Sequence, residues 1–303
     1  MSEPSASTTR HLDVMSVRAC LRRLALADEA PWLHAEVARR MAERLEIIRL
    51  QPQAVLEWWS FGGAGGAALS KAYPEAGRFI VEPTDALRER SRQAAKAPWW
   101  SPQRWRGAAP QVLGPDEVVA GSVQLVWANM MLHASVDPAA LIARWQRALA
   151  VDGFVMFSCL GPGTLHELRN LYQRLGWPPA MAELVDMHDL GDMLVHAGFA
   201  DPVMDQEVLS LSWDGPEAFL RELRTLGANA SPERFAGLRT PRWRERLLAE
   251  LAGLAAPDGR IHMQFEVAYG HAFKAAPRVP LSAETTVSLD DMRAMVRTKS
   301  PRG

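Results

Sequence analysis

From Val14 to about Arg49 apolar residues recur three and four positions apart (Val17, Leu21, Leu24, then Val37, Met41, Leu45, Ile48), with a break at Ala30-Pro31. That spacing places them on one face of two amphipathic helices. Beyond residue 50 the pattern changes to short apolar runs: Val55-Leu56, Phe79-Ile80-Val81, Val123 to Asn129 and Phe154 to Ser158. Helical stretches at Asp85 to Ala97 and Asp137 to Ala150 separate them, and Asp152-Gly153 reads as a turn into the run at Phe154. A weaker strand is expected at about Arg106 to Leu113, after a proline-flanked loop from Trp99 to Trp105. Strands alternating with helices predict an α/β fold: a parallel sheet, helices on both faces, right-handed crossovers, and ligands gathering at the strand carboxyl ends.

The second half differs. Asp186 to Ala197 reads as a helix with Asp186 as its cap and Gly198 beyond its end. Val203 to Trp213 and Ile261 to Phe273 are long, partly alternating runs, which predicts an antiparallel pair closing the sheet. Helices are expected between them, at about Pro216 to Leu226 and Trp243 to Leu254, and a last one from Ser288.

The chemistry concentrates in Ala54 to Glu82, where a strand ending near Glu57 leads into Gly62, Gly63, Gly65 and Gly66, then a helix, then a strand closed by Glu82. Glycines allow close backbone approach, a helix amino terminus offers free N–H groups, and an acid after the second strand can accept from two ribose hydroxyls. A nucleoside-containing cofactor is the expectation. Gly63, Gly65 and Ala68 with Glu82 match a dinucleotide fingerprint, which would suit a nicotinamide oxidoreductase. The same residues match, from Glu57, the E/D-x-G-x-G-x-G loop of S-adenosylmethionine-dependent methyltransferases, with Trp59 and Phe61 in place of its first two glycines and Gly63 as the third. A tight strand-to-helix connection without a ligand is the third reading.

Composition narrows the field. A chain of 303 residues with 48% apolar content can bury a full core in one or two domains, and a net charge of −1 gives no global attraction for nucleic acid or membrane. Cys20 and Cys159 are too few for a disulfide scaffold or a cysteine metal site, so no metal is expected, and the cysteine usage suits a reducing cytosol. MSEPSASTTRHLD lacks the apolar core of a secretory signal and no apolar run reaches about 18 residues, so a cytoplasmic protein is expected. There is no H-E-x-x-H, no G-x-S-x-G and no zinc spacing to support a hydrolase. Locally, RFAGLRTPRWRER (234–246) carries five arginines against one acid.

Four later segments are more specific than the loop. VDGFVMFSCLGPGTLHELRNLY, VDMHDLGDMLVHAGFADPVMD and FEVAYGHAFK supply an LGPGTL helix start, a DMHDLGD helix, an AGF-x-DPVMD turn and an FEV-x-YGHA strand, in that order. Together they resemble the malonyl-[acyl-carrier-protein] O-methyltransferases of biotin synthesis. The resemblance implies a class I methyltransferase (Rossmann-like) seven-stranded, mostly parallel sheet, with an amino-terminal helical segment at 1–50, the methyltransferase domain at 51–275 and a tail with a short helix at 276–303. It implies methyl transfer from S-adenosylmethionine to the free carboxylate of malonyl on acyl carrier protein. Glu57, Gly62, Gly63, Gly65 and Glu82 would then bind the cofactor, with Asn129 and His133 at the reaction end. His188 is a further candidate for the substrate carboxylate, whereas Tyr269 and His271 read as packing residues. Acyl carrier protein would dock on Arg239, Arg242 and Arg244. The family's adenine-side acid falls near 107–109, where this chain has Gly-Ala-Ala. That departure, with Trp59 and Phe61, defines the alternative of a methyltransferase-like protein that has lost catalysis and acts as a binding partner.

Overall fold

The computed structural model describes residues 12–96 and 109–276, and the expected Trp99 to Trp105 loop and the helix from Ser288 lie outside them. Seven strands form one sheet: β1 (Ala54–Trp58), β2 (Gly77–Val81), β3 (Gln111–Leu113), β4 (Val123–Ala128), β5 (Leu149–Leu160), β6 (Phe199–Trp213) and β7 (Ile261–Lys274). Their order is β3-β2-β1-β4-β5-β7-β6, with β7 antiparallel to both neighbours and every other pairing parallel. This is the class I methyltransferase architecture. The order reverses between β1 and β4, so the crevice at their carboxyl ends is the switch point where an open α/β sheet takes a ligand.

Helices cover both faces. α1 (Val14–Leu26) and α2 (Trp32–Glu43), the latter continuing into a 3-10 turn at Arg44–Ile47, precede the sheet. α3 (Ser60–Gly63) and α4 (Gly66–Ala72) follow β1, and α5 (Asp85–Ala95) follows β2. α6 (Pro138–Ala148), α7 (His166–Arg174), α8 (Met187–His196), α9 (Pro216–Leu226) and α10 (Pro241–Ala252) complete the set. Most starts are written locally: Asp13, Thr84, Asp137, Asp186 and Thr240 each accept a backbone N–H of the helix they open.

The pleat divides β4 between two cores. Leu125 and Trp127 enter one with Val37 and Met41 of α2, while Val126 and Ala128 enter the other with Ile142 and Trp145 of α6. A central strand buried on both sides explains why residues 125–128 are apolar throughout. The amino-terminal helices are thus continuous with the sheet's packing. The expected turn at Asp152-Gly153 leading into a strand at Phe154 lies instead within β5, which begins at Leu149. Asp152 sits at φ 65° inside a bulge, and the pairing with β4 jumps from Leu149 to Phe154.

Two motifs about a hundred residues apart prove to be one packing unit. The Gly161 N–H donates to the Glu266 carbonyl at 2.9 Å, and the Thr164 hydroxyl bonds both backbone groups of Glu266. A side chain at Gly161 or Gly163 would collide with the Glu266 carboxylate. Gly270 on β7 faces the Phe157 ring of β5, which lies 2.5 Å from where a Cβ would stand. The edge strand β6 is guarded by charge: Arg40 pairs with Glu207, and Arg44 pairs with Asp205 at 2.7 Å while its guanidinium stacks on Tyr269 at 3.8 Å. Tyr269 is a packing residue, as its sequence position suggested.

Gly270→Ala is therefore expected to cost about 1–3 kcal/mol by overpacking against Phe157. Chemical denaturation measures it, and an unchanged midpoint would mean that this ring contact is not what demands glycine.

Candidate active site

At the carboxyl end of β1, Glu57 is buried and Trp59 turns the chain with φ 57° and ψ 56°. Glycine adopts that left-handed conformation freely, whereas a residue with a Cβ bears about 1–2 kcal/mol of strain. Trp59 stands where the methyltransferase loop pattern has its first glycine, and the chain keeps glycine's backbone there with a tryptophan side chain. That side chain packs into the apolar clusters on both sides of it.

The next turn is the short helix α3, which the sequence pattern did not predict. Protein contacts crowd its glycines and those that follow it. A Cβ at Gly62 would meet Leu24 of α1 at 2.9 Å, one at Gly63 the Asn129 carbonyl at 3.0 Å, and one at Gly65 would collide with the Trp127 indole. At Gly66 it would meet Arg78 at 2.9 Å. The indole and the backbone carbonyl are fixed obstacles, so packing accounts for the missing side chains at Gly65 and Gly63, whereas the Leu24 and Arg78 side-chain ends can give way.

Two carboxylates lie beneath this loop, on neighbouring strands. Glu57 Oε2 pairs with Arg78 at 2.6 Å, while Glu57 Oε1 is buried without a partner. Glu82, directly after β2, is fully buried; its Oε1 accepts from the Phe61 N–H and the Ser91 hydroxyl, both at 2.8 Å, and its Oε2 has no partner. Burial pushes the Glu82 carboxyl up to about 7, helped by the charge of Glu57 and opposed by the two hydrogen bonds. The Phe61 ring lies under the Arg90 guanidinium at 3.9 Å, which pins the loop to α5.

Asn129, one residue past β4, is buried at the centre. Its amide donates to the carbonyls of Gly63 at 2.5 Å and His34 at 2.7 Å, and its oxygen accepts from the Ser158 hydroxyl at 2.6 Å. His34 of α2 donates from Nδ1 to the Gly62 carbonyl at 2.6 Å, and burial holds its ring down to about 4, hence neutral. His34, Ser91 and Ser158 escaped sequence reasoning. A histidine on the apolar face of α2 and a serine on the buried face of α5 were the available signals, since each carries a polar group into a core where it must find a partner.

His133 lies in a shallow hollow with Leu132, Pro138, Cys159, Leu160 and Leu190. Its Nδ1 accepts from the Leu160 N–H at 3.3 Å. His188 is far more exposed and pairs with Asp186 at 2.7 Å in the start of α8. The expected acid near 107–109 falls mostly outside the described residues; Ala109, just before β3, is exposed and carries no acid.

The strand order defines the fold class, that of the class I methyltransferases. No family model matches the chain. Among solved structures, the YcgJ protein of Bacillus subtilis superposes with a TM-score of 0.54 at 12% identity, covering 80% of this chain and 99% of its own. The [4+2]-cyclase SpnF superposes at 0.51 with 13% identity, covering 88% and 97%, so the architecture alone does not fix a reaction. The curated relatives are decisive at the family level. The malonyl-[acyl-carrier protein] O-methyltransferase of Gallionella capsiferriformans is 36% identical over 275 residues, covering 88% of this chain and 93% of its own length. That of Laribacter hongkongensis is 37% identical, covering 88% and 92%. The chain belongs to the malonyl-[acyl-carrier protein] O-methyltransferase family.

The buried groups make a pH prediction. Glu82 titrates near 7 in the fold against an ordinary 4.5, so the fold holds its proton more tightly than the unfolded chain and loses stability as pH rises between those values, by about 2–3 kcal/mol. His34, near 4 against 6.5, acts oppositely and gains stability as pH rises through that window. In Glu82→Gln the Glu82 contribution is removed while the opposing histidine contributions of His34 and His271 remain. Relative to wild type the variant is expected to gain about 2–3 kcal/mol between pH 5 and pH 8 in denaturant titrations; parallel pH profiles for the two proteins would refute the buried acid.

Proposed function

We infer that this protein transfers a methyl group from S-adenosylmethionine to the free carboxylate of a malonyl group on acyl carrier protein. The observation that carries the reading is the pair of buried, unpartnered oxygens at the switch point, Glu57 Oε1 and Glu82 Oε2. A buried acceptor without a donor is costly, and the cofactor's ammonium and ribose hydroxyls are donors of the matching kind. Glu57 and Glu82 would hold those groups, with the backbone at Gly62, Gly63 and Gly65 beside them. When bound, S-adenosylmethionine supplies a methyl group on a positively charged sulfur, and the malonyl carboxylate is already a nucleophile, so no proton need be moved by the protein.

What remains for the protein is positioning and exclusion of water. Asn129 braces the loop against α2 and β5 and so acts through the loop. His133, beside an apolar hollow past β4, remains the candidate contact for the substrate carboxylate at the reaction end. Isothermal titration with S-adenosylmethionine is expected to show a stoichiometric site, and malonyl-acyl carrier protein is expected to gain one methyl ester. Absence of binding at about millimolar cofactor would overturn the reading and leave the methyltransferase-like binding partner.

Docking of the carrier protein is assigned to the first turns of α10. The five-arginine run is not uniformly available: Arg234 pairs with Asp13 at 2.8 Å, and Arg239 stacks on Phe235 and Trp243. Arg242 and Arg244 are exposed, and among the described residues neither has an ion-pair partner. Acyl carrier proteins are acidic, and guanidinium forks suit carboxylates at an interface. Arg242→Glu with Arg244→Glu is expected to weaken carrier-protein binding by about tenfold at low ionic strength, with the difference shrinking as salt screens it. Cofactor affinity should be unchanged, and wild-type docking by the double variant at low salt would place the carrier protein elsewhere. Among the described residues no helix is long and apolar enough to cross a membrane.

A further inference from the structure

Ser91 sits inside α5, on its buried face one turn after Leu87. A serine inside a helix commonly bonds a carbonyl of its own preceding turn. Here its hydroxyl instead leaves the helix and donates to Glu82 Oε1 at 2.8 Å, joining the Phe61 N–H on the same oxygen. Two donors on one oxygen and none on the other is an asymmetric arrangement for a fully buried carboxylate.

We infer that Ser91 is a positioning residue of the cofactor site, saturating Glu82 Oε1 together with the Phe61 amide so that Oε2 is left as the acceptor for the vicinal hydroxyls of a ribose. The inference rests on the S-adenosylmethionine reading above. Physically, a carboxylate held by one oxygen cannot rotate to share both between its neighbours, so the acceptor is oriented before ligand arrives. The same donor favours the ionised form, which accepts from two hydroxyls where a protonated acid must keep its own hydrogen. The other charged groups around Glu82 are Glu57 from β1, which opposes ionisation, and Arg90 from α5, which is held on the Phe61 ring. β3 contributes only the Leu113 carbonyl, which accepts the Glu82 N–H.

The test is titration of S-adenosylhomocysteine, which keeps the ribose and does not turn over, into wild type and Ser91→Ala from pH 6 to pH 9. Wild-type affinity is expected to fall as pH drops through the Glu82 titration. Ser91→Ala is expected to bind about five- to tenfold more weakly at pH 7, with the midpoint of that fall moved to higher pH, so that most affinity returns at pH 9. A role in packing alone would weaken binding by the same factor at every pH, and that result overturns the inference, as does wild-type binding by Ser91→Ala throughout. Failure of wild type itself to bind would instead remove the cofactor reading on which the inference stands.

Discussion

The arrangement around Asn129 depends on one constraint: a buried amide must satisfy both of its donors and its acceptor inside the protein. Carbonyls only accept, so the nitrogen faces Gly63 and His34, and the oxygen is left for the Ser158 hydroxyl. These three bonds tie the strand past the switch point to the loop after β1, to helix α2 and to β5. His34 closes the ring by donating to Gly62. Losing any member leaves a polar group stranded in a low-dielectric core, which makes the crevice rigid where a ligand must be oriented.

That rigidity coexists with groups the fold does not favour. Glu82 is pushed toward neutrality by its burial, and Trp59 is held in a left-handed backbone. Both lie at the carboxyl ends of the strands, where the class I fold takes its ligand. The surrounding packing compensates: Trp59 fills apolar space, and Phe61 is clamped by Arg90 and Glu82 together.

Architecture and activity separate cleanly in this protein. A [4+2]-cyclase shares the fold at a TM-score of 0.51, whereas the malonyl-[acyl-carrier protein] O-methyltransferases share more than a third of the residues over most of the chain. Much of what marks the family in sequence is structural. The Gly161-Pro162-Gly163 turn, Glu266 and Gly270 act by fitting against one another and Phe157, so a recognisable motif need not touch substrate.

The sequence by itself determined the element order, the antiparallel closing pair and the two acids at the strand ends, because apolar periodicity, caps and glycine act over a few residues. It placed Glu57, Glu82 and Asn129 at the carboxyl ends of β1, β2 and β4 for the same reason: each strand is readable as a short apolar run. Tertiary structure decided what these groups do. The partners of Asn129 lie 66 and 95 residues away, and Ser91 reaches Glu82 only because α5 packs back on the sheet. The glycines suggested ligand approach, yet it is the Trp127 indole at Gly65 and the Asn129 carbonyl at Gly63, both brought in from β4 and its end, that leave little room for a side chain. The bulge at Asp152 looked like a turn because aspartate and glycine serve both, and pairing with β4 on either side of it, at Leu149 and from Phe154, keeps the strand continuous.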